Sequence, residues 1–277
     1  MVIKKIGAAI NAGCDIDGAQ YCVEREQDYF SFDAALSSVK DPRDSDVPIL
    51  YKYEVLDFVT RLQKIVKGTF SEHSFPLVFG GDHSLAIGSI SAASNKNRGV
   101  IWIDAHGDFN TDVISESKRI HGMPLANLCG LGDADFVALV GENTVPYENI
   151  IYFGIRSLDP LEEALMHEKN LRIVTMKEIN EKGYDQAIQE TVDFLRKFES
   201  VHISFDLDSI DPTVVKGVST PVPNGLKKEK ALELIETVFK TVPVSSMDIV
   251  EYNPINDDGK TIGVVLDTLD IVEHYIK

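Results

Sequence analysis

Short apolar segments alternate with segments of helical periodicity along the whole chain, and this alternation limits the possible folds more than any other feature. Several of the apolar segments are nearly continuous, as is typical of strands covered on both faces. Strands that alternate with helices favour a parallel sheet with helices on both sides. We therefore predict an α/β fold, a three-layer αβα arrangement with a mostly parallel central sheet. The predicted strands cover residues 2–10, 76–79, 100–103, 149–154, 171–175, 201–205 and 244–250.

Three of the intervening segments place their apolar residues on one helical face, which predicts amphipathic helices packed on the sheet. Residues 41–48 are polar and bounded by prolines, so we predict a loop there. Neither an internal repeat nor a flexible linker divides the chain, and residues 1–277 are predicted to form a single domain. The helical faces consist of Val55, Phe58, Val59, Leu62, Ile65 and Val66, then Ile188, Val192, Leu195 and Phe198, then Ala231, Leu234, Ile235 and Val238.

Composition excludes several classes of protein. The 27 Lys and Arg against 44 Asp and Glu give a net charge of −17, which argues against a partner as acidic as nucleic acid. The longest apolar runs fall far short of the roughly 18 residues that span a bilayer, so no membrane partner is predicted. Three cysteines imply no disulfide framework, and no signal peptide is visible, so a cytoplasmic location is expected.

Polar residues of unusual type follow four of the predicted strands. Parallel sheets bind ligands outside the carboxyl ends of their strands, so these positions are candidate site residues. His83 follows one strand within the sequence GGDHS, and Glu251 follows another. A third strand leads into Asp104, His106 and Asp108, and a fourth into Asp206 and Asp208. Each of these two sets has alternate spacing, so an extended backbone points its members to one side.

Six of these side chains form a predicted metal-binding set. Buried carboxylates and imidazoles repel one another or lose solvation unless a cation holds them. Four carboxylates and two imidazoles are richer in oxygen than structural zinc sites, and this mixture suits Mn²⁺. So many acids favour two divalent ions, which would supply a hydroxide nucleophile at neutral pH. The predicted ligands are His83, Asp104, His106, Asp108, Asp206 and Asp208.

These motifs resemble the ureohydrolase family, which includes arginases, agmatinases, guanidinobutyrases and formimidoylglutamases. The resemblance extends from about residue 79 to the C-terminus, through GGDHS, DAHGD, HGMP, SFDLDSIDP and EYNP. The sequences DFNT and HGMPLA are most similar to arginases. The resemblance implies the three-layer fold, two Mn²⁺ ions per chain and a small cationic guanidino substrate. It also implies a homo-oligomer, since members of this family often form trimers or hexamers.

The resemblance assigns a role to each matching residue. One ion would be held by His83, Asp104, Asp108 and Asp206, and the other by His106, Asp104, Asp206 and Asp208. Glu251 matches the acid that binds the guanidinium group, and a carboxylate suits that planar cation because it can accept two hydrogen bonds. His121 matches a histidine at the substrate entrance that moves protons to the leaving amine, with help from Asp108.

The far end of the substrate is expected to meet a second group of residues. By resemblance to arginases, Asn110, Ser115 and Ser117 would contact the α-carboxylate, and Asp159 would lie near the α-amino group. The chain departs from the family at Lys118 and Arg119, where arginases commonly have Gly-Asn. The block at residues 11–18 is also atypical of the family.

Three functions are compatible with the sequence. The leading hypothesis is hydrolysis of L-arginine to L-ornithine and urea in arginine metabolism. A sister ureohydrolase acting on agmatine, a guanidino acid or formimidoylglutamate is the first alternative. The other is a non-catalytic metal-binding protein on the same fold, which the complete ligand set argues against. A substrate panel separates the first two hypotheses, and a metal assay tests the third.

Overall fold

Eight strands form one sheet in which every hydrogen-bonded pair of neighbours is parallel. The computed structural model describes residues 1–277, apart from the side chain of residue 46. The strands are β1 Ile3–Ala9, β2 Ala34–Ser37, β3 Phe75–Gly80, β4 Arg98–Ile103, β5 Ile150–Ile155, β6 Arg172–Thr175, β7 Ser200–Asp206 and β8 Val244–Val250. Their order across the sheet is β2-β1-β3-β8-β7-β4-β5-β6.

Helices cover both faces of this sheet. The helices are α1 Cys22–Phe30, α2 Lys52–Ser71, α3 Ala86–Ser91, α4 Pro124–Leu128, α5 Ala134–Val140, α6 Pro160–Glu168, α7 Met176–Lys182, α8 Tyr184–Leu195, α9 Lys228–Thr241 and α10 Lys260–Tyr275. The side chains of β4 point to both layers of helices. Ile101 and Ile103 belong to the buried cluster under α1 and α7–α10, whereas Val100 and Trp102 pack under α2–α6. The predicted α/β class and its three layers are therefore confirmed.

Two local features differ from the sequence expectation. Strand β2 is a four-residue edge strand that pairs only with β1, and its burial alternates between half-buried and exposed. Its short and weakly apolar sequence gives little periodic signal, so it was not predicted. The predicted loop at residues 41–48 contains a short 3-10 helix, Pro42–Asp46, that begins where the Asp41 side chain accepts a hydrogen bond from the amide of Arg43.

The strand order places the four strands that carry the candidate ligands side by side. Strands β3, β8, β7 and β4 are consecutive in the sheet. Because all of them are parallel, their carboxyl ends lie at one edge, where His83, Glu251, Asp206 and Asp104 follow. Within the described part of the chain, no helix is long and apolar enough to cross a membrane.

Candidate metal centre and adjoining pocket

The turn after β3 fixes His83 at the carboxyl edge of the sheet. The backbone at Gly81 approaches that of Ile10 so closely that an added Cβ would lie 1.7 Å from the Ile10 carbonyl oxygen. Only glycine fits there, which explains the Gly-Gly pair. Asp82 then caps a short 3-10 helix by accepting a hydrogen bond from the amide of Ser84. This turn and cap hold the His83 imidazole in a buried position.

The Nδ1 atom of His83 faces three carboxylates. It lies 3.1 Å from Oδ2 of Asp104 and 3.1 Å from Oδ2 of Asp108. It also lies 3.0 Å from Oδ2 of Asp206. Nδ1 is buried, yet it has no hydrogen bond of suitable geometry among the described residues. Nδ1 and the oxygens of Asp104 and Asp108 lie within 4.8 Å of one another, as the ligands of one metal ion do, whereas Asp206 is close to Nδ1 but outside this group.

A second group lies beside the first and shares one residue with it. The Nδ1 atom of His106 lies 3.5 Å from Oδ1 of Asp104 and 3.2 Å from Oδ2 of Asp208. The candidate ligand atoms of Asp104, His106 and Asp208 also lie within 4.8 Å of one another. Asp104 thus presents one oxygen to each group, which is the arrangement expected of a carboxylate that bridges two ions.

Neighbouring side chains orient the candidate ligands. The Nε2 atom of His83 lies 2.9 Å from Oγ of Ser204, so the other ring nitrogen is left for a metal. The indole of Trp102 stacks on the His83 ring, and its Nε1 donates a hydrogen bond of 2.9 Å to Oδ2 of Asp104. Thr220 donates to Oδ2 of Asp208. These contacts hold both groups in place before any ligand binds.

The electrostatics show an excess of negative charge at the centre. Burial, and then the neighbouring Asp104, raise the pKa of Asp108 to about 6. Burial, Asp208 and Asp104 together raise the pKa of Asp206 well above its usual range. Burial alone would lower the pKa of His83, but the surrounding carboxylates raise it well above the ordinary value. These shifts arise because like charges lie close together away from water, and divalent ions would offset that repulsion.

An adjoining pocket of about 260 Å³ opens over the two groups. Glu251 lies in its wall, on a backbone with a φ of 62°, a left-handed conformation that is unusual outside glycine. Its Oε1 accepts a hydrogen bond of 2.9 Å from the amide of His83. Its Oε2 is buried without a partner among the described residues. A buried carboxylate oxygen in this state predicts a cationic ligand in the pocket.

His121 lies in the same pocket wall. Its Nδ1 lies 3.4 Å from Oε1 of Glu251, and its amide donates a hydrogen bond to the carbonyl of Gly13. Burial lowers the pKa of His121, but the hydrogen bond and the charge of Glu251 raise it above the ordinary value. The imidazole is therefore placed to carry a proton near neutral pH.

The residues predicted for the far end of the substrate are only partly brought together. Asn110, Ser117 and Asp159 line the pocket, and the Nδ2 atom of Asn110 donates a hydrogen bond of 3.1 Å to Oδ2 of Asp159. Ser115 is buried outside the pocket wall, where its hydroxyl accepts a hydrogen bond from the amide of Lys118. Ser115 therefore supports the loop that carries the other residues.

Three further residues line the pocket that the sequence reasoning missed: Ser157, Glu162 and Thr220. Glu162 is 4% exposed, and burial raises its pKa to about 7. It forms a capping box with Asp159 at the start of α6 and accepts a hydrogen bond from the amide of Phe109. The spacing of an acid three residues after an N-cap Asp was the available signal, but it points to a helix start rather than to a pocket.

Comparisons with known proteins give matches over most of the chain. A family model described as the arginase family matches residues 12–270. The arginase of Staphylococcus aureus (strain MRSA252) is 40% identical over 208 residues, which are 74% of this chain and 68% of that protein. The arginase of Bacillus subtilis (strain 168) is 40% identical over 216 residues, 76% of this chain and 73% of that protein. The structure of arginase from Bacillus caldovelox superposes with a TM-score of 0.88 and 30% identity, covering 98% and 97% of the two chains.

Proposed function

Because the chain belongs to the arginase family, we propose that it hydrolyses L-arginine to L-ornithine and urea at the carboxyl edge of its sheet. One observation at the site supports this proposal. Glu251, whose Oε2 is buried without a partner, lines the pocket above the two ligand groups that share Asp104. A cation-binding acid and a candidate metal centre thus face the same space.

The proposed cofactor is a pair of Mn²⁺ ions. The oxygen-rich donor set suits this ion, and the orphaned Nδ1 of His83 fits a ligand position. When bound, such a pair acidifies water and supplies a nucleophile at neutral pH. The ligands in this proposal are His83, Asp104, Asp108 and Asp206 for one ion, and His106, Asp104, Asp206 and Asp208 for the other.

Glu251 binds the guanidinium group in this proposal. Its Oε1 is held by the amide of His83, and its Oε2 is free to accept from the substrate. A hydrogen bond from the guanidinium group to Oε2 is strengthened by the opposite charges and anchors that end of the substrate. The guanidinium carbon is then presented to the metal centre rather than to solvent. This positioning is the main contribution of Glu251 to the rate.

His121 supplies the proton that the leaving amine requires. The ring lies beside Glu251 with its Nδ1 at 3.4 Å, which leaves the other ring nitrogen for the substrate. The raised pKa favours the protonated imidazole, and a proton donor with a pKa near the working pH is the most effective. Asp108, which lines the same pocket, is the second proton carrier.

The far end of the pocket can bind both the α-ammonium group and the α-carboxylate of an amino acid. The carboxylates of Asp159 and Glu162 suit an α-ammonium group, whereas Asn110, Ser117 and Arg119 can donate hydrogen bonds to an α-carboxylate. A site of this kind rejects substrates that lack either group, because its own polar atoms would be left unpaired. L-Arginine carries both groups.

A substrate panel tests the proposal. The manganese-loaded protein is assayed for urea release from L-arginine, agmatine and 4-guanidinobutyrate, and L-arginine is expected to have the highest kcat/KM. A faster rate with agmatine or 4-guanidinobutyrate would assign the protein to another ureohydrolase activity. Urea release from none of them would contradict the proposal. The Glu251→Gln variant is the control, since it retains the size of the side chain but loses the second acceptor oxygen.

A further inference from the structure

A second cavity opens on the same edge of the sheet, beside the carboxyl ends of β1 and β2. Its volume is about 530 Å³, and its wall includes Ala9 and Ser37, the last residues of those two strands. Ligands of parallel α/β sheets bind at this edge. None of the residues that line this cavity lines the pocket over the metal centre. The two spaces are therefore separate.

The wall of the second cavity is strongly acidic. It contains the carboxylates of Asp15, Asp17, Glu24 and Glu54 against the single ammonium group of Lys40. An acidic wall alone is common on a chain with a net charge of −17. One of these acids, Glu54, is far less exposed than the other three.

Glu54 is the buried acid of this cavity. It lies in the first turn of α2 and is 6% exposed, whereas Asp15, Asp17 and Glu24 are exposed. Its side chain lines the cavity, and among the described residues its carboxylate makes neither a hydrogen bond nor an ion pair. The carboxylate oxygens reach the cavity, so most of the side chain is enclosed by protein while its charge faces the space where a ligand would lie. A carboxylate in this position gains a charge-assisted hydrogen bond when a cation binds. The position of Glu54 therefore points to a cationic ligand.

The spacing of the acids favours an organic cation over a metal ion. In the described part of the chain, three or more candidate ligand atoms gather within 4.8 Å of one another only at the metal centre described above. The acids of the second cavity do not converge in this way. Instead, the rings of Tyr21 and Tyr51 lie in the same wall, and aromatic faces attract organic cations.

We propose that this cavity is a second binding site, for a small organic cation whose primary ammonium or guanidinium group pairs with Glu54. Residues 11–18 form part of the wall of this cavity, and they also contact the segments that carry His121 and Glu251. The carbonyl of Gly13 accepts a hydrogen bond of 3.1 Å from the amide of His121. The carbonyl of Asp17 accepts one of 2.9 Å from Asn253, two residues after Glu251. A ligand in the cavity thus contacts the segment that supports the catalytic pocket.

Calorimetric titration of the manganese-loaded protein with putrescine tests this proposal. Putrescine carries two primary ammonium groups and lacks a guanidinium group. The Glu54→Gln variant is expected to bind it about tenfold or more weakly, as follows from the loss of a charge-assisted hydrogen bond. The matched control is Glu72→Gln, an exposed acid at the other end of the same helix, for which the affinity should be unchanged.

Two further variants separate this site from the catalytic pocket and from effects on folding. Binding should persist in Glu251→Gln, which alters only the catalytic pocket. Asp15→Asn should weaken binding without disturbing the fold, because Asp15 is exposed and asparagine tolerates its positive φ of 54°. Equal putrescine affinity in the wild type and Glu54→Gln would overturn the proposal. So would the absence of binding to the wild type, or binding that disappears in Glu251→Gln.

Discussion

The Nδ1 atom of His121 lies 3.4 Å from Oε1 of Glu251, and that same oxygen accepts a hydrogen bond of 2.9 Å from the amide of His83. One carboxylate thus connects the proposed proton donor to the backbone of a proposed metal ligand. Its other oxygen remains free for the substrate. Proton transfer, metal binding and substrate binding meet at a single side chain, so variants must be chosen to separate the three roles.

The first prediction concerns proton transfer. His121→Asn should lower kcat by about 10 to 10⁴-fold, the range for a lost general acid or base. The manganese content should remain near that of the wild type, because His121 belongs to neither ligand group. Steady-state kinetics and metal analysis of the same preparation give both numbers. Loss of metal from this variant would place His121 among the ligands and refute the assignment.

The second prediction concerns the carboxylate shared by the two ligand groups. Asp104→Asn should lower the content of both ions, since Asp104 belongs to each group. His106→Asn should lower the content of one ion more than the other, because His106 belongs to one group only. Metal analysis after equilibration at a fixed free Mn²⁺ concentration is the measurement. Equal losses in the two variants would argue against a bridging role for Asp104.

The fold and the centre of the site could be predicted because each rests on a strong local pattern. Apolar periodicity indicated seven strands, and the rule that parallel sheets bind ligands at their carboxyl edge then placed their polar ends together. Asp104, His106 and Asp208 do meet in the structure. The edge strand β2 gave no such pattern, since only four residues form it and half of them are exposed.

The features of the site that the sequence did not indicate depend on packing between distant parts of the chain. Glu162 reaches the pocket because α6 packs against the loop after β4, a contact to the amide of Phe109 across 53 residues. Ser115 has the residue type and spacing of a substrate-binding residue, yet the turn of its loop buries it outside the pocket wall. The acidic cavity beside β1 and β2 likewise depends on residues from several separate segments. No single stretch of sequence contains such information.

The third prediction concerns pH and Glu162. Burial raises its pKa to about 7, whereas a glutamate in the unfolded chain titrates near ~4.3. The folded state therefore retains a proton that the unfolded state releases. The resulting stabilisation is complete below about pH 4.3 and is lost as the pH rises through about 7. Its full size is roughly 1–3 kcal/mol in the metal-free protein.

Urea denaturation of the chelator-treated protein at pH 5 and pH 8 checks this prediction. Glu162→Gln cannot ionise, so its stability relative to the wild type should improve between pH 5 and pH 8. The exposed neighbour on α6 provides the control, and Glu163→Gln should follow the wild type at both pH values. A constant difference between Glu162→Gln and the wild type would show that this carboxyl titrates alike in the folded and unfolded states.

The last prediction concerns Arg119, two residues before His121 in the chain. Arg119 lines the catalytic pocket, and its guanidinium group forms no ion pair among the described residues. The ammonium group of Lys118 instead donates to the carbonyl of Asp112 at 2.7 Å, so the adjacent positive charge is held away from the pocket. Arg119 is therefore available to pair with the α-carboxylate of the substrate, with the geometry of two parallel hydrogen bonds.

Arg119→Asn should raise the KM for L-arginine by about tenfold or more and leave kcat nearly unchanged, the pattern of binding energy lost equally from ground and transition states. Agmatine lacks the carboxylate, so its kcat/KM should not fall. The wild-type preference for L-arginine over agmatine, expected at about 10²-fold or more, should therefore narrow. Lys118→Gln removes a charge that points elsewhere and should preserve that preference. An equal loss for both substrates in Arg119→Asn would mean that Arg119 supports the loop rather than the carboxylate.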